Sequence, residues 1–414
     1  MNIYHDAKQI IDHSIRAVLP DVAVLKALQS TPLDGPAFVV AIGKAAWRMA
    51  HAAGQALGDQ MKAGIVITKY GHSEGSIPRM DIYEAGHPVP DANGVVATRH
   101  VLNLVGGLTE RDTVVFLVSG GGSALFELPL DGVSLDDIAD TTRQFLACGA
   151  DIVEINTIRK HLSAVKGGRF AQRCAPARVL SIVLSDVLGD PLDSIASGPS
   201  YPDSSRCEDV QTIFKRYHLD IAPHMMGALS QETPKSLPHT KHMITGNVRA
   251  LCEAAKEKAA SLGYTPMLLT TTLNCEAREA GLMLAAIARE IRASSFPLSA
   301  PCAVILGGET VVHVRGRGKG GRNQELALSA GSGIAGLEDT LIFSVGSDGT
   351  DGPTDAAGGI VTGEFMDKCK ACGLSVEAFL ADNDAYTLLN QTDSLIVTGP
   401  TGTNVNDLTV LLCR

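Results

Sequence analysis

Short β-branched runs alternate with Ala- and Leu-rich stretches of helical period along most of the chain. "AFVVAIG" (37–43) leads into the helical "KAAWRMAHAAGQAL", and "AGIVITKYG", "DTVVFLVSGGG" and "RVLSIVLSD" follow as further apolar runs. Runs this short and apolar, interleaved with helical patterns, predict βαβ units: a mostly parallel sheet covered by helices on both faces. Around 230–242, "SQETPKSLPHTKH" concentrates Pro and polar residues without periodicity and is the expected linker. The pattern then restarts with "MITGN", the helical "VRALCEAAKEKAASLG", the strand-like "YTPMLLTTT" and a helix over 276–293. "CAVILGG" and "TVVHVRG" are joined by so few residues that they are expected to pair antiparallel, which makes the second sheet mixed. "LIFSVGSD", "DSLIVTG" and "DLTVLLC" complete it. The reading is an α/β protein of two domains, 1–235 and 236–414.

Composition narrows the function. The 414 residues are 45% hydrophobic, enough for two cores, and the formal charge of −10 argues against a nucleic-acid partner. No apolar stretch reaches the roughly 18–20 residues that cross a bilayer, and the first twenty residues mix charges into a helical pattern, so a cytoplasmic protein without a membrane partner is expected. Cys148, Cys252, Cys302 and Cys413 stand among apolar neighbours and read as buried thiols. The single C-x-x-C, Cys369 and Cys372, reads as structural, and the dispersed histidines carry no zinc signature.

Ligands of open α/β sheets bind beyond the carboxyl ends of strands, so those loops decide the chemistry. Gly43 and Lys44 follow the run 38–42. After 113–118 come Ser119, Gly120, Gly121, Gly122 and Ser123, whose glycines would let backbone N–H groups approach an anion. The segment 156–185 holds Arg159, Lys160, Lys166, Arg169, Arg173 and Arg178 and no acid. In "RGRGKGGRNQELAL", Arg315, Arg317, Lys319 and Arg322 alternate with glycines before a helix that Asn323 could help begin, a flexible cationic loop suited to a triphosphate. Asp186, Asp190, Asp193 and Asp203 follow one strand, and Asp348, Asp351 and Asp355 another; one or two of these carboxylates beside a polyphosphate would hold Mg²⁺. Glycine nests, convergent Lys and Arg and a few Asp are what phosphoryl transfer requires.

The blocks "AIGKAAWRMA", "VSGGGSALFELP", "NTIRKHLSAVKGGRFA", "SDVLGDPLDSIASGPSYPD", "GGETVVHVRGRGKGGRNQELALSA", "SVGSDGTDGPTDAAGG" and "TGPTGTNVNDLTVLL" resemble the type II glycerate 2-kinases, whose C-terminal part is the MOFRL domain. The resemblance runs from about residue 5 to 412, with the MOFRL region at about 300–412. It implies two three-layer α/β/α domains, the first Rossmann-like and the second with a mixed sheet, and an active site in the cleft between them. It also implies transfer of the ATP γ-phosphoryl group to the 2-hydroxyl of D-glycerate with Mg²⁺. Lys44 and Arg322 fall on the family's two central positions. Beside them we expect Gly43 and Ser119 to Ser123 to cradle an anionic group, and Arg159 or Lys166 to pair with the substrate carboxylate or a phosphate. Arg317, Lys319 and Asn323 are expected as further substrate- or ATP-binding positions. Asp186 is the expected base or metal ligand, with Asp348 and Asp351 as further metal ligands. A homodimer is the expected assembly. Two alternatives compete: an NAD(P)H-dependent hydroxypyruvate reductase, a label also given to members of this family, and a non-catalytic sensor of a phosphorylated metabolite. The reductase would want G-x-G-x-x-G after the first strand, where the chain has "GKAAWR".

Overall fold

The computed structural model describes residues 2–189 and 191–414, which form two compact units: Pro20–Thr245, and Met1–Leu19 with Gly246–Arg414. The first unit is built on a six-stranded sheet of β1 (Ala37–Ile42), β2 (Met61–Lys69), β3 (Met80–Ala85), β4 (Thr113–Val118), β5 (Arg178–Leu184) and β6 (Thr240–Gly246) in the order β3-β2-β1-β4-β5-β6. The pairs from β3 through β5 are parallel. Every residue of β4 is buried, as a central parallel strand covered on both faces must be. Beneath it Phe116, Phe126 and Phe170 pack with ring centroids 4.5 to 6.0 Å apart. Two covering helices start on reciprocal caps, Ser134 with Asp137 and Asp151 with Glu154.

The second unit carries β7 (Thr265–Leu273), β8 (Cys302–Gly308), β9 (Thr340–Gly346), β10 (Gly358–Thr362), β11 (Leu395–Ile396) and β12 (Asp407–Cys413) in the order β11-β10-β9-β12-β8-β7. It is mixed: β7 and β8 run parallel, whereas β12 is antiparallel to both β8 and β9. The helix Arg322–Gly333 lies buried from Asn323 to Gly331, with Gly331 against the Phe365 ring.

Three expectations fail for identifiable reasons. "MITGN" opens no second sheet, because Thr240–Gly246 is the sixth strand of the first. The first nineteen residues fall in the unit of the C-terminal half, where Ala7, Ile10 and Ile11 are buried and Tyr264 Oη donates to Asp6 Oδ2 at 2.8 Å; the units are therefore not the contiguous 1–235 and 236–414. "TVVHVRG" forms no hairpin with β8, since both edges of β8 are already taken by β7 and β12, leaving Val311 and Val314 exposed. Of the thiols, Cys148 is exposed rather than buried; Cys252, Cys302 and Cys413 are buried.

Candidate active site

In the first sheet the chain builds outward from β1 to β3 and then crosses back to β4, so the strand order reverses between β1 and β4. The loops leaving these two strands diverge there and open a crevice beyond the carboxyl ends. Gly43 and Lys44 form one loop, and Ser119 to Gly122 the other. They are laced together: Lys44 N–H donates to the Gly120 carbonyl at 2.9 Å, and Ala45 N–H to Ser119 Oγ at 3.1 Å. Gly43 has φ +114°, and a Cβ there would stand 2.3 Å from Ser119 Oγ, so a side chain would separate the loops. Ser119 is buried, and its hydroxyl also donates to the Ile42 carbonyl; it holds the loops rather than facing outward.

Three side chains crowd the glycine loop. A methyl group on Gly120 would meet Asp186 Oδ2 at 2.5 Å, and one on Gly121, at φ +84°, would meet the His87 ring at 2.9 Å and Lys44 Cγ at 3.4 Å. Among the described residues the N–H groups of Gly120 and Gly121 donate to no acceptor. Two backbone donors, an exposed lysine and a carboxylate thus converge at the switch point. Sequence reasoning missed His87; its place just beyond the end of β3 was the signal. Burial, followed by Lys44, Lys69 and His72, holds its imidazolium below the usual range.

Other predicted residues of this unit are tied up in the scaffold. Lys166 is wholly buried and spends its ammonium on the carbonyls of Ser123 (2.7 Å) and Phe126 (3.0 Å) and on Glu127 Oε2 (2.8 Å), so it cannot meet a ligand as expected. Burial pushes its pKa down to about 8 against the opposing pull of Glu127. Lys160 pairs with Asp203 at 3.1 Å, and Asp193 lies 3.7 Å away. Ser123 Oγ shares a hydrogen with Ser197 Oγ at 2.8 Å, and Gly122 is buried. Arg159 differs: its Nε is buried and has no partner among the described residues, and burial lowers its pKa. Asp190 lies outside the described residues.

In the second unit Arg322 opens its helix and is gripped by acids. Its Nε donates to Asp407 Oδ2 at 2.6 Å, Nη2 to Asp407 Oδ1 at 3.1 Å, and Nη1 to Glu309 Oε1 at 3.0 Å. Burial opposes its charge, but Asp407, Glu309 and Asp351 outweigh this and raise its pKa. Neither Asp407 nor Glu309 was picked from sequence, although Asp407 opens an otherwise apolar strand, which is an unusual place for an acid. Asp351 is no open metal ligand: its carboxylate caps the Arg322 helix, accepting from Asn323 N at 3.2 Å and Gln324 N at 2.8 Å. Burial raises its pKa to about 6 despite those bonds. Asn323 does not cap that helix and is itself buried, accepting from Ser344 Oγ at 2.6 Å. Gly321 is the cap residue.

Two glycines of the cationic loop make room for close packing. A Cβ on Gly316 or Gly318 would come within 2.2 or 2.3 Å of Asp382 and Asp384, whose side chains accept from Arg317 N and Lys319 N. The loop is pinned, with Lys319 Nζ 4.3 Å over the Tyr386 ring. Arg317 and Lys319 remain exposed. Asp348 is half-buried at the end of β9, with Oδ1 accepting from Thr350 N at 2.9 Å.

Residues 6–230 match a family described as a domain of unknown function, DUF4147, and residues 302–407 match the MOFRL family. A D-glycerate 2-kinase of Thermotoga maritima is 54% identical over 98% of this chain and 97% of its own length. A glycerate 2-kinase of Pyrococcus horikoshii is 38% identical over 100% and 98% respectively. The crystal structure of a glycerate kinase from Thermotoga maritima superposes with a TM-score of 0.97 at 53% identity, covering 99% of both chains. With identity of this order running end to end and the same fold throughout, the chain belongs to the glycerate 2-kinase family.

Proposed function

We propose that this protein transfers the γ-phosphoryl group of ATP to the 2-hydroxyl of D-glycerate, giving 2-phosphoglycerate and ADP. The observation that carries this reading is the pair of unengaged amides at Gly120 and Gly121 beside Lys44 at the switch point. Membership of the glycerate 2-kinase family supplies the substrate class. Two adjacent N–H groups and an ammonium bind an anion without reorganising, and such fixed charge lowers the barrier of phosphoryl transfer. Asp186, against the same loop, accepts the proton as the 2-hydroxyl oxygen bonds to phosphorus and the bond to the ADP oxygen breaks. Arg159, with a buried nitrogen lacking a partner among the described residues, is the cation we assign to the substrate carboxylate. In the second unit Arg317 and Lys319 are the phosphate contacts, and Arg322 supplies fixed charge held in place by Asp407 and Glu309.

Mg²⁺ demands oxygen ligands; of the carboxylates expected to hold it, Asp351 is spent on its helix, and Asp348 at the end of β9 is the one we assign to it. When bound, the ion neutralises and orients phosphate oxygens. The reductase alternative gains nothing from the structure, because the loop after β1 holds one glycine and a lysine where a pyrophosphate would need the G-x-G-x-x-G turn. No described helix is long and apolar enough to cross a membrane; a cytoplasmic location and a homodimer are what we propose.

The test is ADP release by purified protein with MgATP, with and without D-glycerate, set beside NADH oxidation with hydroxypyruvate. Glycerate-dependent ADP supports the kinase. Stoichiometric NADH oxidation without ADP release overturns it, as does ligand-induced thermal stabilisation with no turnover in either assay.

A further inference from the structure

His161 lies in the last turn of the helix Ile152–Leu162 and is wholly buried. Its Nδ1 lies 2.9 Å from the Thr157 carbonyl, which can only accept, so Nδ1 carries the hydrogen and Nε2 the lone pair. Nε2 is buried and has no partner among the described residues. A buried acceptor left unsatisfied is costly, and this one faces an unusual neighbourhood. Cys207 opens the helix Cys207–Arg216, and its N–H donates to Glu232 Oε1 at 2.8 Å. A ring nitrogen of His161, Cys207 Sγ and a Glu232 oxygen all lie within 4.8 Å of one another.

We propose that His161, Cys207 and Glu232 form a binding site for a zinc-class divalent cation, with a fourth position open to water. Imidazole, thiolate and carboxylate are the donor mixture zinc accepts, whereas Mg²⁺ prefers oxygen alone, so the site is chemically separate from a nucleotide-bound Mg²⁺. A ligating imidazole whose other nitrogen donates to a backbone carbonyl is fixed in tautomer and orientation, as His161 is by Thr157. Thiolate and carboxylate together balance the charge of the ion.

Metal bonds of about 2.0–2.3 Å place tetrahedral ligand atoms about 3.3–3.8 Å apart, so the three groups close by about 1 Å on binding. Glu232 is exposed and can swing inward. Lys235 sits 3.0 Å from Glu232 Oε2, but it also donates to Thr233 Oγ1 at 2.8 Å and to the Ser205 carbonyl, so it keeps acceptors when Glu232 turns. The bound cation ties together two helices and the segment before β6, which makes its role one of pinning.

The full-length protein, dialysed against chelator, is titrated with Zn²⁺ by calorimetry and with Co²⁺ by absorption, alongside Cys207→Ser, Glu232→Gln and His161→Gln. One equivalent is expected to bind, with thiolate-to-cobalt charge transfer and a rise in Tm that Cys207→Ser and Glu232→Gln lose. Exposed Cys148, Cys275 and Cys372 could also take these ions, and binding there survives in Cys207→Ser. Equal stoichiometry and equal charge transfer in wild type and Cys207→Ser, or no uptake by wild type at micromolar metal, overturns the site. If His161→Gln fails to fold, the two variants at less buried positions decide alone.

Discussion

Arg322 meets Asp407 through a two-point fork, Nε to Oδ2 at 2.6 Å and Nη2 to Oδ1 at 3.1 Å. Only a planar guanidinium makes this contact, and Glu309 takes the remaining side at 3.0 Å. Arg322→Lys keeps the charge but loses the fork. Steady-state kinetics are expected to show kcat reduced about a hundredfold or more, with KM for ATP moving less than about tenfold. A wild-type kcat in that variant would mean that position and fork are irrelevant to turnover.

Lys44 is exposed beside Gly121, and among the described residues its ammonium makes no hydrogen bond or ion pair. Lys44→Ala is therefore expected to lower kcat by about a hundredfold or more while leaving Tm nearly unchanged. If KM alone rises, the lysine binds substrate and does not stabilise the transition state.

Lys166 carries the opposite expectation. Removing one partner of a buried ion pair leaves an uncompensated charge, so Lys166→Met is expected to cost about 3–5 kcal/mol in denaturant unfolding. Adding Glu127→Leu to it restores most of that loss. A single variant as stable as wild type would contradict the structural role assigned here.

How much of this was legible in the sequence follows from where the partners lie. The loops that hold Gly43, Lys44 and Gly120 to Gly122 could be placed because a strand end announces its loop, and the strand order sets those loops at the switch point. Lys166 and Asn323 were misread because their partners, Glu127 and Asp351, stand far off in the chain, and no local pattern reveals that a cation or amide is already spoken for. The glycines at 316 and 318 looked made for phosphate; they make room for Asp382 and Asp384, a contact only the folded chain shows. The hairpin expected after β8 ignored competition for strand edges, which is a property of the whole sheet.

His87 gives a pH signature. Its pKa is lowered by burial and then by Lys44, Lys69 and His72, so the ring is neutral at pH 7. A polyphosphate beside Lys44 adds negative charge, which favours the imidazolium and raises the pKa. The complex then holds more protons than the free protein between the two pKa values, so ATP affinity is expected to rise as pH falls through that window. An NMR titration of His87 with and without MgATP checks this; an unchanged or lowered pKa would place the nucleotide elsewhere.

The central claim is the reaction and its regiochemistry. It is tested most directly by following the ³¹P NMR spectrum of the purified protein with Mg²⁺, ATP and D-glycerate. A 2-phosphoglycerate resonance that grows in step with ADP is expected. A growing 3-phosphoglycerate resonance, or ATP left intact over hours, would contradict it.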